Sequence, residues 1–328
     1  MLKCRECREC NGIACRGEIP GLGGKDSGAS FIRNVEAWHH VKINMDVLAD
    51  VREVSTASTV LGIPMALPVF AAPVAGIRNN YGADLSEYEY NCRVLDACEK
   101  TGIRAFTGDG IDLENLFLKP AQAVNDHGGH GIVTIKPWVK SGVDARIEAL
   151  SHLHYELAAM DVDAAGLPLL RAGSVPVENK TADSLRYVKE RIGKPFVVKG
   201  VMSVSAAETA LAAGADGIVV SNHGGRVLDE AMGTAEVLPE IAAAVKGRKS
   251  VLVDGGIRSG MDIFKALALG ADGVLIGRPL ALAAVRDGAD GEAALIRKYQ
   301  DQLAQTMRMT GCGSIADIRR DMVRCVNW

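Results

Sequence analysis

The sequence predicts an α/β domain closed into a (β/α)8 barrel, the TIM-barrel class. After residue 60, short β-branched runs alternate with longer amphipathic stretches. Eight such units across about 250 residues match a closed barrel better than an open doubly wound sheet. Two units also repeat each other. Ala212–Val220 and Ala268–Ile276 each read as a helix end, a glycine stop and a buried strand.

In chain order the expected strands are Pro68–Ala72, Ile103–Thr107, Ile132–Lys136, Ala159–Asp163, Phe196–Lys199, Gly217–Ser221, Val251–Asp254 and Gly273–Gly277. Each is a short apolar run suited to a strand buried on both faces. The expected helices are Tyr88–Thr101, Asp144–Leu157, Ala182–Ile192, Val204–Ala213, Ala235–Lys246 and Ser259–Leu269, read from their apolar periodicity. Residues 1–67 lie outside the rhythm and are expected to pack on the barrel as a cysteine- and glycine-rich extension. Residues 68–328 are expected to form the barrel, with Glu292–Trp328 as a tail, helical and then irregular.

Composition excludes several classes. Apolar residues make up 48% and charged residues 23%, as in ordinary soluble domains. A net charge of −3 leaves no basic footprint for nucleic acid. No apolar run approaches the roughly 20 residues that span a bilayer. The first residues, Met1-Leu2-Lys3-Cys4-Arg5, lack a secretory apolar core, so the chain reads as cytoplasmic and its eight cysteines as thiols or metal ligands.

Barrel enzymes place their chemistry at the C-terminal ends of the strands. Thr107, Asp109, Lys136, Asp163, Lys199, His223, Arg226, Asp254 and Arg278 all fall at such ends. The densest run is Ser221-Asn222-His223-Gly224-Gly225-Arg226, directly after Gly217–Val220. Its histidine can take a proton near neutral pH, and its arginine offers a fork that matches a carboxylate. The glycines allow close backbone approach to a ligand. Together these suggest chemistry on the carbon beside a carboxylate. The seventh and eighth strands end in Asp254-Gly255-Gly256-Ile257-Arg258 and Gly277-Arg278-Pro279. Glycines and arginines after these two strands read as a phosphate site. No G-x-G-x-x-G follows the first strand, so this is not a dinucleotide fingerprint.

The runs Phe196–Val201, Val220–Asp229, Val253–Arg258, Asp262–Ala271 and Gly277–Pro279 resemble the FMN-dependent 2-hydroxy-acid dehydrogenase and oxidase family, which includes glycolate and lactate oxidases. The resemblance implies FMN as cofactor and oxidation of a small (S)-2-hydroxy acid to the 2-oxo acid. It implies His223 as the base, oriented by Asp163, with Arg226 and Arg171 holding the substrate carboxylate. Lys199 would stabilise negative charge on reduced flavin. Ala71, Ala72 and Pro73 would run under the flavin ring with Thr107 near it, Ser221 would also bind the cofactor, and Asp254, Gly255, Gly256, Arg258, Gly277 and Arg278 would hold ribityl and phosphate. The family also implies a homo-oligomer, with oxygen or a redox protein as electron acceptor.

The chain departs from this pattern in three places. Family members carry a tyrosine in the N-terminal segment, yet the first tyrosine here is Tyr81. The third-strand tyrosine is also missing from Gly131–Lys136, and the loop after the fourth strand, Ala164–Pro176, is too short for a long lid. In their place the N-terminus offers Cys4, Cys7, Cys10 and Cys15, a C-x2-C-x2-C-x4-C run that suggests an iron–sulfur cluster or zinc. The following stretch, Gly17–Gly24, reads as a loop draped over the flavin. Two other readings compete: an FMN barrel of the type 2 isopentenyl diphosphate isomerase kind, and a non-catalytic flavin or metal redox sensor.

Overall fold

The computed structural model describes residues 2–171, 175–245 and 247–326, without the Arg171 side chain. Eight parallel strands form the barrel: β1 (Val69–Ala71), β2 (Arg104–Ala105), β3 (Ile132–Ile135), β4 (Leu157–Asp161), β5 (Phe196–Val201), β6 (Gly217–Val220), β7 (Ser250–Val253) and β8 (Gly273–Ile276). Each pairs with its sequence neighbours, and β8 returns to β1. Between β2 and β3 the ring closes through a single bridge, Phe106 with Ile132, and a 2.8 Å bond from the Thr107 N–H to the Ile132 carbonyl. The strands are buried on both faces, as expected of parallel strands under a helical layer.

The repeated units have a shared physical cause. Gly214 and Gly270 both take the left-handed conformation that ends a helix, at φ 90° and 107°. Two residues on, Asp216 and Asp272 turn back to accept from N–H groups near the start of the preceding strands, Phe196 at 2.9 Å and Val251 at 2.8 Å. The same Gly-Ala-Asp-Gly run therefore ties β6 to β5 and β8 to β7.

Most helices lie where the periodicity puts them. The cover includes α1 (Ala29–His40), α2 (Glu87–Thr101), α3 (Lys119–Asp126), α4 (Lys140–Ala149), α5 (Ala182–Ile192), α6 (Val204–Ala212), α7 (Thr234–Val245), α8 (Gly260–Ala268) and α9 (Arg278–Arg308). Ser86 and Glu89 form a capping box that starts α2. Two boundaries differ from the expectation. The helix expected over Asp144–Leu157 stops at Ala149, because Leu157 already pairs with Ile132 in the sheet. For the same reason β4 runs two residues earlier than Ala159–Asp163. Asp161 ends the strand, and Asp163 stands on the 3₁₀ turn Val162–Gly166 that follows.

The N-terminal residues lie against the strand ends. Val41–Ile43 pairs antiparallel with Val323–Cys325, joining the two ends of the chain. α1 packs on the loops after β6 and β7. Asn34 and Asn222 exchange amide bonds of 2.7 and 3.0 Å, and the Trp38 Nε1–H donates to the Gly255 carbonyl at 2.7 Å. This contact explains two loop glycines. A Cβ on Gly225 would come within 2.4 Å of the Phe31 nitrogen, and one on Gly256 within 2.0 Å of the Asn34 carbonyl oxygen. The close approach these two glycines permit is to α1, where the sequence suggested a ligand.

Candidate active site

A cavity of about 270 Å³ opens at the C-terminal ends of the strands. Its wall carries Ala72 and Pro73 after β1, Lys136 after β3, Lys199 on β5, and His223 and Arg226 after β6. Asp254, Gly255, Gly256 and Arg258 after β7 complete it with Gly277 and Arg278 after β8. Most of the sequence-predicted set thus meets on one rim. Ala71, Thr107, Ser221 and Asp163 are set back from the wall. Ala71 is committed to the sheet against Ala105 and Ile276. Ser221 uses its hydroxyl to accept from the His223 N–H at 3.1 Å. The Arg171 side chain lies outside the described residues.

His223 is the centre of the arrangement. It sits at φ 58°, a left-handed conformation uncommon outside glycine. Its Nδ1 lies 2.8 Å from Asp163 Oδ1, which leaves Nε2 for the cavity. Asp163 reaches this position because β5 bulges at Gly200, where any Cβ would lie 2.7 Å from the aspartate side chain. Burial pushes the His223 pKa down, the Asp163 charge opposes that, and Lys136 and Lys199 push it further down. The resting imidazole is therefore neutral at neutral pH and can accept a proton.

Beneath His223 lies a buried charge cluster. Asp161 Oδ2 is 2.5 Å from the Lys136 ammonium, and its Oδ1 is 2.9 Å from that of Lys199. Lys199 also lies 3.4 Å from Asp254. The two lysines hold the Asp161 pKa far below the usual carboxylate range, while its carboxylate and that of Asp254 hold Lys199 protonated. Sequence reasoning missed Asp161 because the strand was placed two residues late. It noted Lys136 at a strand end but gave it no role.

At the other end of the cavity the arginines face the N-terminal segment. Arg226 Nη1 donates to the carbonyls of Gly21 at 2.6 Å and Gly23 at 3.2 Å. Arg278 donates to Leu22 at 2.7 Å, and Arg258 to Cys10 at 2.8 Å. Burial and the neighbouring arginines lower the Arg278 pKa to about 10, still cationic at neutral pH. Ile19, Gly21 and Leu22 form part of the cavity wall, so the Gly17–Gly24 stretch does cover the site. Tyr81 reaches the wall from the end of the short helix Ile77–Tyr81 after β1, and its burial pushes the phenol up to about 12. Only its place in the fold could have revealed it, since it is far from the positions where the family resemblance puts tyrosines.

The cysteine quartet does not assemble. Among the described residues, Asp161, Asp163 and His223 are the group of three or more ligand-type side chains gathered within 4.8 Å, and the four thiols form none. All eight cysteines are free, and Cys10 is held to Arg258 through its carbonyl.

These residues fit a flavin mononucleotide. Asp254 Oδ1 is buried on the cavity wall without a hydrogen-bond partner, as a group awaiting a ligand donor would be. Arg258 and Arg278 supply cationic charge at the end where barrels bind phosphate.

The chain belongs to the FMN-dependent dehydrogenase family, whose model matches residues 22–165 and 140–325. It is an FMN-dependent oxidoreductase. It is 31% identical to an L-lactate oxidase of Lactobacillus jensenii over 93% of this chain and 80% of that protein. It is 33% identical to a 4-hydroxymandelate oxidase of Amycolatopsis orientalis, covering 94% of this chain and 95% of the other. A solved mandelate oxidase variant superposes with a TM-score of 0.79 at 32% identity, covering 93% of this chain and 92% of its own.

Proposed function

We propose that this chain oxidises a small (S)-2-hydroxy acid to the 2-oxo acid, with His223 as base and Arg226 as carboxylate anchor. The observation that carries the reading is the His223–Asp163 pair at 2.8 Å, with Nε2 turned to the cavity. Arg226 would fix the substrate carboxylate with the fork that now holds the Gly21 and Gly23 carbonyls. Nε2 of His223 would take the substrate's proton as the reacting carbon loses an electron pair. Asp163 would hold the tautomer and stabilise the imidazolium. Bound FMN supplies the two-electron acceptor. Lys199 would place a cation where negative charge grows.

The same reading includes a cytoplasmic homo-oligomer that passes electrons to oxygen or to a redox protein, which oxygen consumption during turnover separates. A metal at Cys4, Cys7, Cys10 and Cys15 belongs to it as well. It rests on the thiol spacing alone, and binding would have to draw together four thiols that the fold does not gather. Metal analysis of the purified protein tests it, and a bound cluster would favour the redox-protein acceptor.

His223→Ala tests the central claim. The variant should keep yellow bound FMN yet lose roughly 10²- to 10⁴-fold in the rate of anaerobic bleaching by lactate, glycolate or mandelate. Bleaching at the wild-type rate would show that His223 is not the base.

A further inference from the structure

The buried cluster beneath the cavity holds one carboxylate between two ammonium groups. Lys136, Asp161 and Lys199 have side chains 7%, 0% and 3% exposed. Each lysine offers three donors. Among the described residues the Lys136 ammonium has one partner, Asp161, and it lies on the cavity wall. The three side chains together leave one positive charge in excess. Asp254, the next carboxylate, lies 3.4 Å from Lys199 and offsets that lysine in part, whereas among the described residues Lys136 has only the Asp161 carboxylate that it shares with Lys199. Asp163 is committed to His223. A buried excess cation is costly unless something anionic meets it. The open direction from Lys136 is the cavity.

We propose that Lys136 is a second cation acting on the bound flavin, and that Asp161 sets how strongly it and Lys199 act. This rests on the reading that FMN occupies the cavity. Lys199 alone over Asp161 would be a neutral pair, with little net field on a ring that gains negative charge on reduction. Adding Lys136 makes that field more positive by one charge, while Asp161 between the two ammonium groups offsets their mutual repulsion. Lys136 and Asp161 are positioning residues in this scheme, since they act through charge and need not touch the substrate.

The opposite charges make the proposal testable without turnover. The midpoint potential of bound FMN and its affinity for sulfite, an anion that adds to electron-poor flavins, would be measured on the substrate-free holoenzyme. Lys136→Met should lower the potential and weaken sulfite binding roughly tenfold or more, the scale of one charge a few ångströms away in a partly screened interior. Asp161→Asn should raise the potential and tighten sulfite binding. The double variant, which restores charge balance and guards against misfolding of either single one, should return close to the wild type.

Shifts in the same direction for both single variants would overturn the proposal, since a purely structural brace fails the same way from either end. Unchanged potential and sulfite affinity with a raised KM in Lys136→Met would also overturn it, assigning the lysine to the substrate. Failure of the wild-type protein to bind FMN would instead overturn the underlying reading.

Discussion

Two buried aspartates stand on the same rim of the barrel and do opposite jobs. Asp109, after β2, also borders the cavity, but both of its carboxylate oxygens are taken up by donors. It accepts from the N–H groups of Gly110 and Lys136 at 2.7 and 2.8 Å, from Trp138 Nε1 at 2.7 Å, and from Arg146 at 2.8 and 2.9 Å. Arg146 in turn stacks on the Trp138 ring at 4.2 Å and donates to the Gly110 carbonyl. Asp163, after β4, spends one oxygen on His223 and leaves Oδ2 buried without a partner. A saturated carboxylate is scaffold. One with an open oxygen, pressed against an imidazole, is set up to respond when a proton arrives. The difference separates structure from chemistry on a rim where the residue types alone are the same.

The sharpest way to break the comparison is to remove the partner of Asp109. Arg146→Met would leave a buried carboxylate without its counter-ion, and burial already pushes the Asp109 pKa up against the pull of Arg146. The expected loss is about 3–5 kcal/mol of stability, read as a lowered chemical-denaturation midpoint. Any folded protein should still reduce its flavin with substrate, because no Arg146 bond reaches His223 or Arg226. Loss of turnover without loss of stability would put Asp109 among the site groups.

Asp163→Asn is the mirror experiment. Stability should change little, since Oδ2 has no partner to lose and the amide can still hold a ring nitrogen. Turnover should fall on the order of 10²-fold, because the imidazolium loses its counter-charge. The pH profile carries a sign. Burial lowers the His223 pKa from its ordinary 6.5, and the Asp163 charge opposes this. In the wild type the acid limb of kcat/KM should therefore lie below pH 6.5, and activity should be lost as pH falls through it. Removing the Asp163 charge should move that limb to still lower pH. A limb moving upward would show that Asp163 does not favour the imidazolium.

How far the sequence reached depended on whether a feature was local. The eight strands, the glycine stops and the His223, Arg226, Arg258 and Arg278 loops are local patterns, and the barrel rule carries them to one rim. Asp161 was hidden by a two-residue boundary, because strand pairing with Ile132 and not propensity decides where β4 begins. Gly225 and Gly256 were legible as close approaches, but what they approach, α1, lies about 190 to 220 residues away in sequence. Tyr81, Ile19 and Leu22 reach the cavity only through tertiary packing. The thiol spacing was legible as a pattern, yet spacing does not determine that four sulfurs converge, and here they do not.

The smallest expected effect concerns the cover over the site. Asp229, in the loop that carries His223, accepts from the Ser27 hydroxyl at 2.6 Å and from its N–H at 2.8 Å. Lys25 adds a bond from its N–H to the Gly225 carbonyl at 2.8 Å. The stretch that walls the cavity is thus pinned to the loop that holds the base. Ser27→Ala removes the exposed hydroxyl bond to Asp229 and the weaker 3.2 Å bond that the hydroxyl accepts from the Ala29 N–H, and leaves the backbone one. It should cost about 0.5–1.5 kcal/mol at most, with kcat near that of the wild type and any change confined to KM. A change in kcat as large as that of Asp163→Asn would mean that the cover holds His223 in place, and that the line between scaffold and chemistry runs through the N-terminal segment and not only along the barrel rim.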